Sequence, residues 1–122
     1  MTSGELAEIV REAVPPRYEH GRIHPATRTF QAIRIYVNGE LDNLAKILRI
    51  LPDIMNPGGR VAIISFHSLE DKLIKHRFQE LVKNRHAALL TKKPMLATAK
   101  EIAKNPRSRS AKLRAIKFNV QL

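Results

Sequence analysis

The sequence predicts an α/β fold, with a small three-stranded mixed sheet and flanking helices. Three observations carry this. Residues 60–66 are a short apolar run rich in β-branched side chains, set between Pro57-Gly58-Gly59 and a polar Ser-Phe-His-Ser group. That is the pattern of a strand between a turn and a helix start. Segments on both sides of it repeat apolar residues at spacings of three and four, as amphipathic helices do. A stretch at 111–118 partly alternates apolar and polar residues, as a half-buried strand does.

Each element follows from local chemistry. Residues 2–14 form a short helix, with Leu6, Ile9, Val10 and Val14 on one face. Thr2 with Glu5 three residues later matches a capping box. Pro15-Pro16 stops the helix, and a polar loop runs from Arg17 to Ile23. Pro25 suits the first turn of a second helix. Phe30, Ile33, Val37, Leu41, Leu44, Leu48 and Leu51 give that helix an apolar stripe over residues 25–51. Gly39 inside it marks a close packing contact or a break. Asn56-Pro57-Gly58-Gly59 forms a turn. The run at 60–66 is continuous rather than alternating, which predicts a strand covered on both faces. Ser68 is the expected cap of the next helix, with Glu70 and Asp71 in its first turn, where the helix dipole favours acids. Leu69, Leu73, Ile74, Phe78, Leu81 and Val82 give it an apolar face to about residue 83. Residues 86–91 form a second strand. Thr98 and Glu101 mark a short helix over 98–104, and 105–110 is a basic loop.

Composition narrows the function classes. The 122 residues contain no cysteine, which excludes disulfides and thiolate metal sites. No apolar run reaches the roughly 18 residues of a membrane span, and the N-terminus is acidic and polar rather than signal-like. A cytoplasmic location is expected. The net charge of +11 is uneven. Residues 1–56 carry seven Lys/Arg and seven Asp/Glu; residues 57–122 carry fifteen and four. All the excess lies in the second half, which points to a polyanionic partner, RNA or DNA ahead of an anionic membrane; the plainer reading is a solubilising basic surface.

In open α/β sheets, ligands bind where strands end. Ser65, His67 and Ser68 are therefore the candidate catalytic group; the plainer reading is a helix cap at Ser68 with His67 exposed. Adjacent residues on one turn do not face each other, so this is no Ser-His-Asp triad. Glu70 and Asp71 are either acid–base residues or a helix first turn, and the second explains them better. His24, Thr27, Arg28 and Thr29 sit at a helix start, where N–H groups attract phosphate; the plainer reading is capping plus solvated charge. Arg107, Arg109, Lys112 and Arg114 form the densest basic group, extended by Lys92-Lys93, and match RNA backbone binding; the plainer reading is an ordinary basic loop. His20 and His24 have no third ligand, so no metal site is expected.

Three blocks recur together in one order: His24-Pro25-Ala26-Thr27-Arg28-Thr29-Phe30-Gln31-Ala32-Ile33-Arg34-Ile35, then Pro57-Gly58-Gly59-Arg60 through Ser65-Phe66-His67-Ser68-Leu69-Glu70-Asp71, then Asn105-Pro106-Arg107-Ser108-Arg109-Ser110-Ala111-Lys112-Leu113-Arg114. Together with the opening Ser3-Gly4-Glu5-Leu6-Ala7, they resemble the C-terminal part of the bacterial 16S ribosomal RNA (cytosine-N4)-methyltransferases, over nearly the whole chain. The resemblance implies a partial Rossmann-like methyltransferase fold, S-adenosylmethionine as cofactor, and ribosomal RNA or the small ribosomal subunit as partner. It implies that residues 1–23 are a remnant of an inserted helical domain and 24–122 the C-terminal half of the methyltransferase domain. It places Ser65, His67 and Ser68 at a strand end facing the cofactor and substrate cleft.

The family's glycine-rich cofactor loop belongs to an N-terminal half, and no such loop occurs here. The 122 residues alone are thus expected to bind no cofactor and to be inactive. The strand at 60–66 would lose its neighbour and present an unpaired edge. Self-association, or complementation by an N-terminal half, is predicted. The alternative reading is a non-catalytic basic RNA-binding or assembly module.

Overall fold

The computed structural model describes residues 1–15 and 24–119. The expected loop at 17–23 lies outside the described residues. The chain divides into two compact units, Met1–Glu40 and Leu41–Leu122.

In the first unit, helix α1 spans Ser3–Ala13. The Thr2 hydroxyl accepts from the Glu5 N–H at 3.1 Å, and the Thr2 N–H donates to Glu5 Oε2 at 3.3 Å, the reciprocal capping box expected. Helix α2 spans Thr27–Asn38. It starts later than its proline, because Pro25 and Ala26 form a turn in which His24 Nδ1 accepts from the Ala26 N–H at 3.1 Å. The single helix expected over 25–51 is two helices. Gly39 takes a left-handed φ of 61° and caps α2 by donating to Ile35 and Tyr36 carbonyls. A Cβ there would meet nothing within 4 Å, so the break is conformational and not a close packing contact.

Helix α3, Glu40–Ile54, lies in the second unit apart from its first residue. Pro52 sits inside it and has no N–H to give to the Leu48 carbonyl. Arg77 fills that gap: its Nε donates to Leu48 O at 2.9 Å and its Nη2 to Arg49 O at 3.2 Å. Strand β1, Arg60–Ser65, follows a turn stitched to the end of the sheet by Phe118 N–H to Gly59 O at 2.8 Å. Gly59 is needed there, because a Cβ would lie 2.8 Å from Asn56 O. Helix α4 spans Ser68–Lys83, β2 Ala87–Leu89, β3 Met95–Leu96 and α5 Ala99–Lys104. Thr98 caps α5 as its sequence predicts. The basic loop expected at 105–110 is a 3-10 turn, Pro106–Ser110, tightened by the buried Ser108 hydroxyl donating to Asn105 O at 2.7 Å. Strand β4 spans Lys112–Phe118.

The sheet order is β1-β4-β2, with the two-residue β3 also on β4. Every pairing is antiparallel, where a mixed three-stranded sheet was expected. The reason is the central place of β4: β1 and β2 run alike but on opposite sides of it, so they never pair. α3 and α4 cover one face, packing Leu48, Leu51, Ile74, Phe78 and Leu81 against Ile116 and Phe118. Each such side chain stabilises by about 1.5–3 kcal/mol when fully buried. Val61 and Ile63 join this core, while Ala62 and Ile64 point away and stay exposed. Cover on both faces of β1 is thus not found. Among the described residues β1 is also an edge, with β4 as its one neighbour.

Candidate site at the carboxyl end of the first strand

Ser65 is the last residue of β1, 1% exposed, and its hydroxyl has no hydrogen-bond partner among the described residues. His67 follows the strand and caps α4, so the cap lies one residue before Ser68. His67 Nδ1 accepts from the Glu70 N–H at 3.3 Å. The bond assigns the proton of the neutral ring to Nε2. Nε2 is buried and lies 3.0 Å from Glu70 Oε1, close enough for attraction but without hydrogen-bond alignment. Ser68 begins the helix and is exposed. Ser65 Oγ therefore remains unmatched at the strand end, and His67 Nε2 beside it has the Glu70 carboxylate at 3.0 Å without hydrogen-bond alignment. A buried group left unmatched costs roughly 1–3 kcal/mol.

The two acids of the α4 first turn have other tasks. Glu70 Oε1 accepts from the Phe66 N–H at 3.2 Å, which fixes the strand-to-helix turn. Asp71 is buried and takes both arms of Arg114, Nε at 2.7 Å and Nη2 at 3.2 Å. The Arg114 hydrogen bonds hold the Asp71 carboxyl below its ordinary range, against the opposing effect of burial. Asp71 thus stays ionised and is poorly suited to act as a general acid. Lys112, opposite Ser65 in the register, puts its ammonium 3.9 Å from Asp71.

Of the expected RNA-contact residues, Arg107 and Arg109 are exposed on the 3-10 turn. Lys112 and Arg114 face α4 instead, on the same side of β4 as Ile116. His24, Thr27, Arg28 and Thr29 gather at the start of α2 in the first unit, where the His24 ring is used as a turn acceptor. The Asp71–Arg114 pair was missed by sequence reading, since nothing local links residues 43 positions apart. Among the described residues no group of His, Asp or Glu is arranged to hold a metal ion, and no helix is long and apolar enough to cross a membrane.

A helix-covered sheet whose strand end runs through Ser-Phe-His-Ser into a capped helix is part of a methyltransferase fold. The chain belongs to the MraW methylase family, whose profile matches residues 1–119. It is 59% identical over 115 residues to ribosomal RNA small subunit methyltransferase H of Nostoc sp. (strain PCC 7120), covering 93% of this chain and 36% of that protein. It is 57% identical over 110 residues to the protein of the same name in Synechococcus elongatus (90% and 36%). For Rhodopirellula baltica the identity is 56% over 114 residues (93% and 34%). The chain spans about a third of the length of these curated relatives.

Proposed function

We propose that these residues form the C-terminal part of an S-adenosylmethionine-dependent methyltransferase that acts on small-subunit ribosomal RNA at cytosine N4. In this reading residues 1–23 end an inserted domain and 24–122 complete the methyltransferase domain. The unmatched Ser65 Oγ carries the proposal, with the buried His67 Nε2 close by in sequence. A hydroxyl and a ring N–H, fixed at a strand end and shielded from water, are equipped to orient an exocyclic amine and its ring. The Asp71–Arg114 pair holds α4 to β4 beside them.

The described residues do not fit the cofactor itself. Ligand pockets usually measure about 300–1,000 Å³. The cleft of about 490 Å³ lies at the other end of the sheet, around Pro57 and Phe118, and its lining includes the Arg85 guanidinium, a poor match for a cationic sulfonium. Grooves of about 380 and 300 Å³ lie on the helix surfaces of α3 and α4, and neither is lined by Ser65, His67 or Ser68. The 122 residues alone are therefore proposed to be inactive, with the remaining part of the site supplied by an N-terminal half or a second chain.

Transfer of labelled methyl groups to small-subunit RNA tests this. The chain alone should give none. Adding the N-terminal two-thirds of the Nostoc relative in trans should restore transfer, and His67→Ala should remove it again. Methylation by the chain alone would refute the proposal. RNA binding that never becomes methylation in the mixture would favour a basic RNA-binding module instead.

A further inference from the structure

A small hollow lies between α4 and the β2 side of the sheet, with a volume of about 50 Å³. A water needs about 10–15 Å³ measured this way, so the space suits a few waters or one tetrahedral oxyanion. Its lining is unusual in charge. Lys75, Lys92 and Arg114 all border it, with Thr91 and Gln79 between them, Phe78 as an apolar wall, and no carboxylate. Lys75 and Lys92 make no ion pair among the described residues. Arg114 spends two N–H groups on Asp71 and has three more in its fork. The Thr91 oxygen accepts from the Ala115 N–H at 3.0 Å, which leaves its own proton to donate. Three cations around a confined space repel one another unless an anion offsets them. One carboxylate, Asp71, stands behind Arg114.

We propose that this hollow is a phosphate-binding site, filled in the RNA-bound protein by one backbone phosphodiester. The choice of RNA as the source rests on the function proposed above; the phosphate chemistry does not. Lys75 lies one helical turn beyond Asp71, and Arg114 borders the hollow while holding Asp71, so the bound phosphate lies across β4 from the Ser65–His67 end. A phosphate held there sets the register of the strand entering the site without reading its sequence.

The test compares the chain with Lys75→Gln, Lys92→Gln and the double variant; both lysines are exposed, so the fold tolerates the changes. Lys46→Gln, exposed on α3, is the control. Thermal unfolding is read with inorganic phosphate against chloride at equal ionic strength, and affinity for a small-subunit RNA fragment is read against salt. Phosphate should raise the melting temperature of the parent and the control more than that of the double variant. The difference removes the general stabilisation that phosphate gives any protein. The slope of log affinity against log salt should fall by about 0.7 when the double variant loses this one phosphate contact. Equal phosphate responses in parent and double variant overturn the site, even where RNA still binds. A phosphate response lost in the double variant, with RNA affinity and slope unchanged, keeps the oxyanion site and overturns RNA as its source.

Discussion

Asp71 and Arg114 meet across 43 positions of chain, and their pairing sets what each residue can do. Arg114→Met leaves a buried carboxylate without its partner and should cost on the order of 3 kcal/mol, measured by urea unfolding. The sign of the pH effect follows from the lowered Asp71 pKa. Its stabilising contribution is complete above the unfolded value near 3.8 and is lost as pH falls through the lower folded value. Asp71→Asn should therefore flatten the acid limb of stability below about pH 4, with no change of slope near neutrality. An unchanged acid limb would contradict the pair's role. His67 separates two tasks. His67→Ala removes the α4 cap and should cost about 1 kcal/mol, whereas His67→Asn retains a cap and removes Nε2. In a complemented enzyme, loss of methyl transfer by the Asn variant at parental stability would assign the ring a task beyond capping.

At the scale of elements, Pro52 and Arg77 act together. Arg77→Met leaves the partly buried Leu48 carbonyl without its donor and should cost roughly 1 kcal/mol. Pro52→Ala restores the N–H that the helix lacks, so Arg77→Met should cost less in that background. Strict additivity in a double-mutant cycle would show that the two are independent. Gly39→Ala should destabilise by about 1 kcal/mol, since the cost lies in the left-handed backbone and not in crowding. Caps and breakers were the legible part of the fold: Thr2 with Glu5, Thr98 with Glu101 and the Pro57-Gly58-Gly59 turn all act through neighbours within a few residues. The break at Gly39 was legible as one of two options. Apolar periodicity ran straight through it, because α2 and α3 both keep a three-and-four pattern. The cap at His67 was misplaced by one residue because Ser68 is the stronger capping type, and only geometry shows which side chain reaches the Glu70 N–H. Neither the rescue of Pro52 by Arg77 nor the insertion of β4 between β1 and β2 leaves a local trace.

For the whole molecule, charge and edges decide the expected behaviour. The excess of cations in residues 57–122 predicts RNA affinity that falls steeply between 50 and about 200 mM salt; affinity indifferent to salt would remove the case for backbone contacts. The Ser65–His67 site was readable as a strand end, but its unmatched hydroxyl was not, since burial and hydrogen bonding are properties of the packed state. Among the described residues β1 offers an unpaired edge, and Ala62 and Ile64 leave its outer face exposed. Both features favour pairing with a further strand, from an N-terminal half or a second copy.

The account depends on these residues orienting a substrate while the methyl donor is held elsewhere. Calorimetric titration of S-adenosylmethionine into the 122-residue chain tests that directly. No saturable heat is predicted. A saturable isotherm with one donor per chain would contradict it.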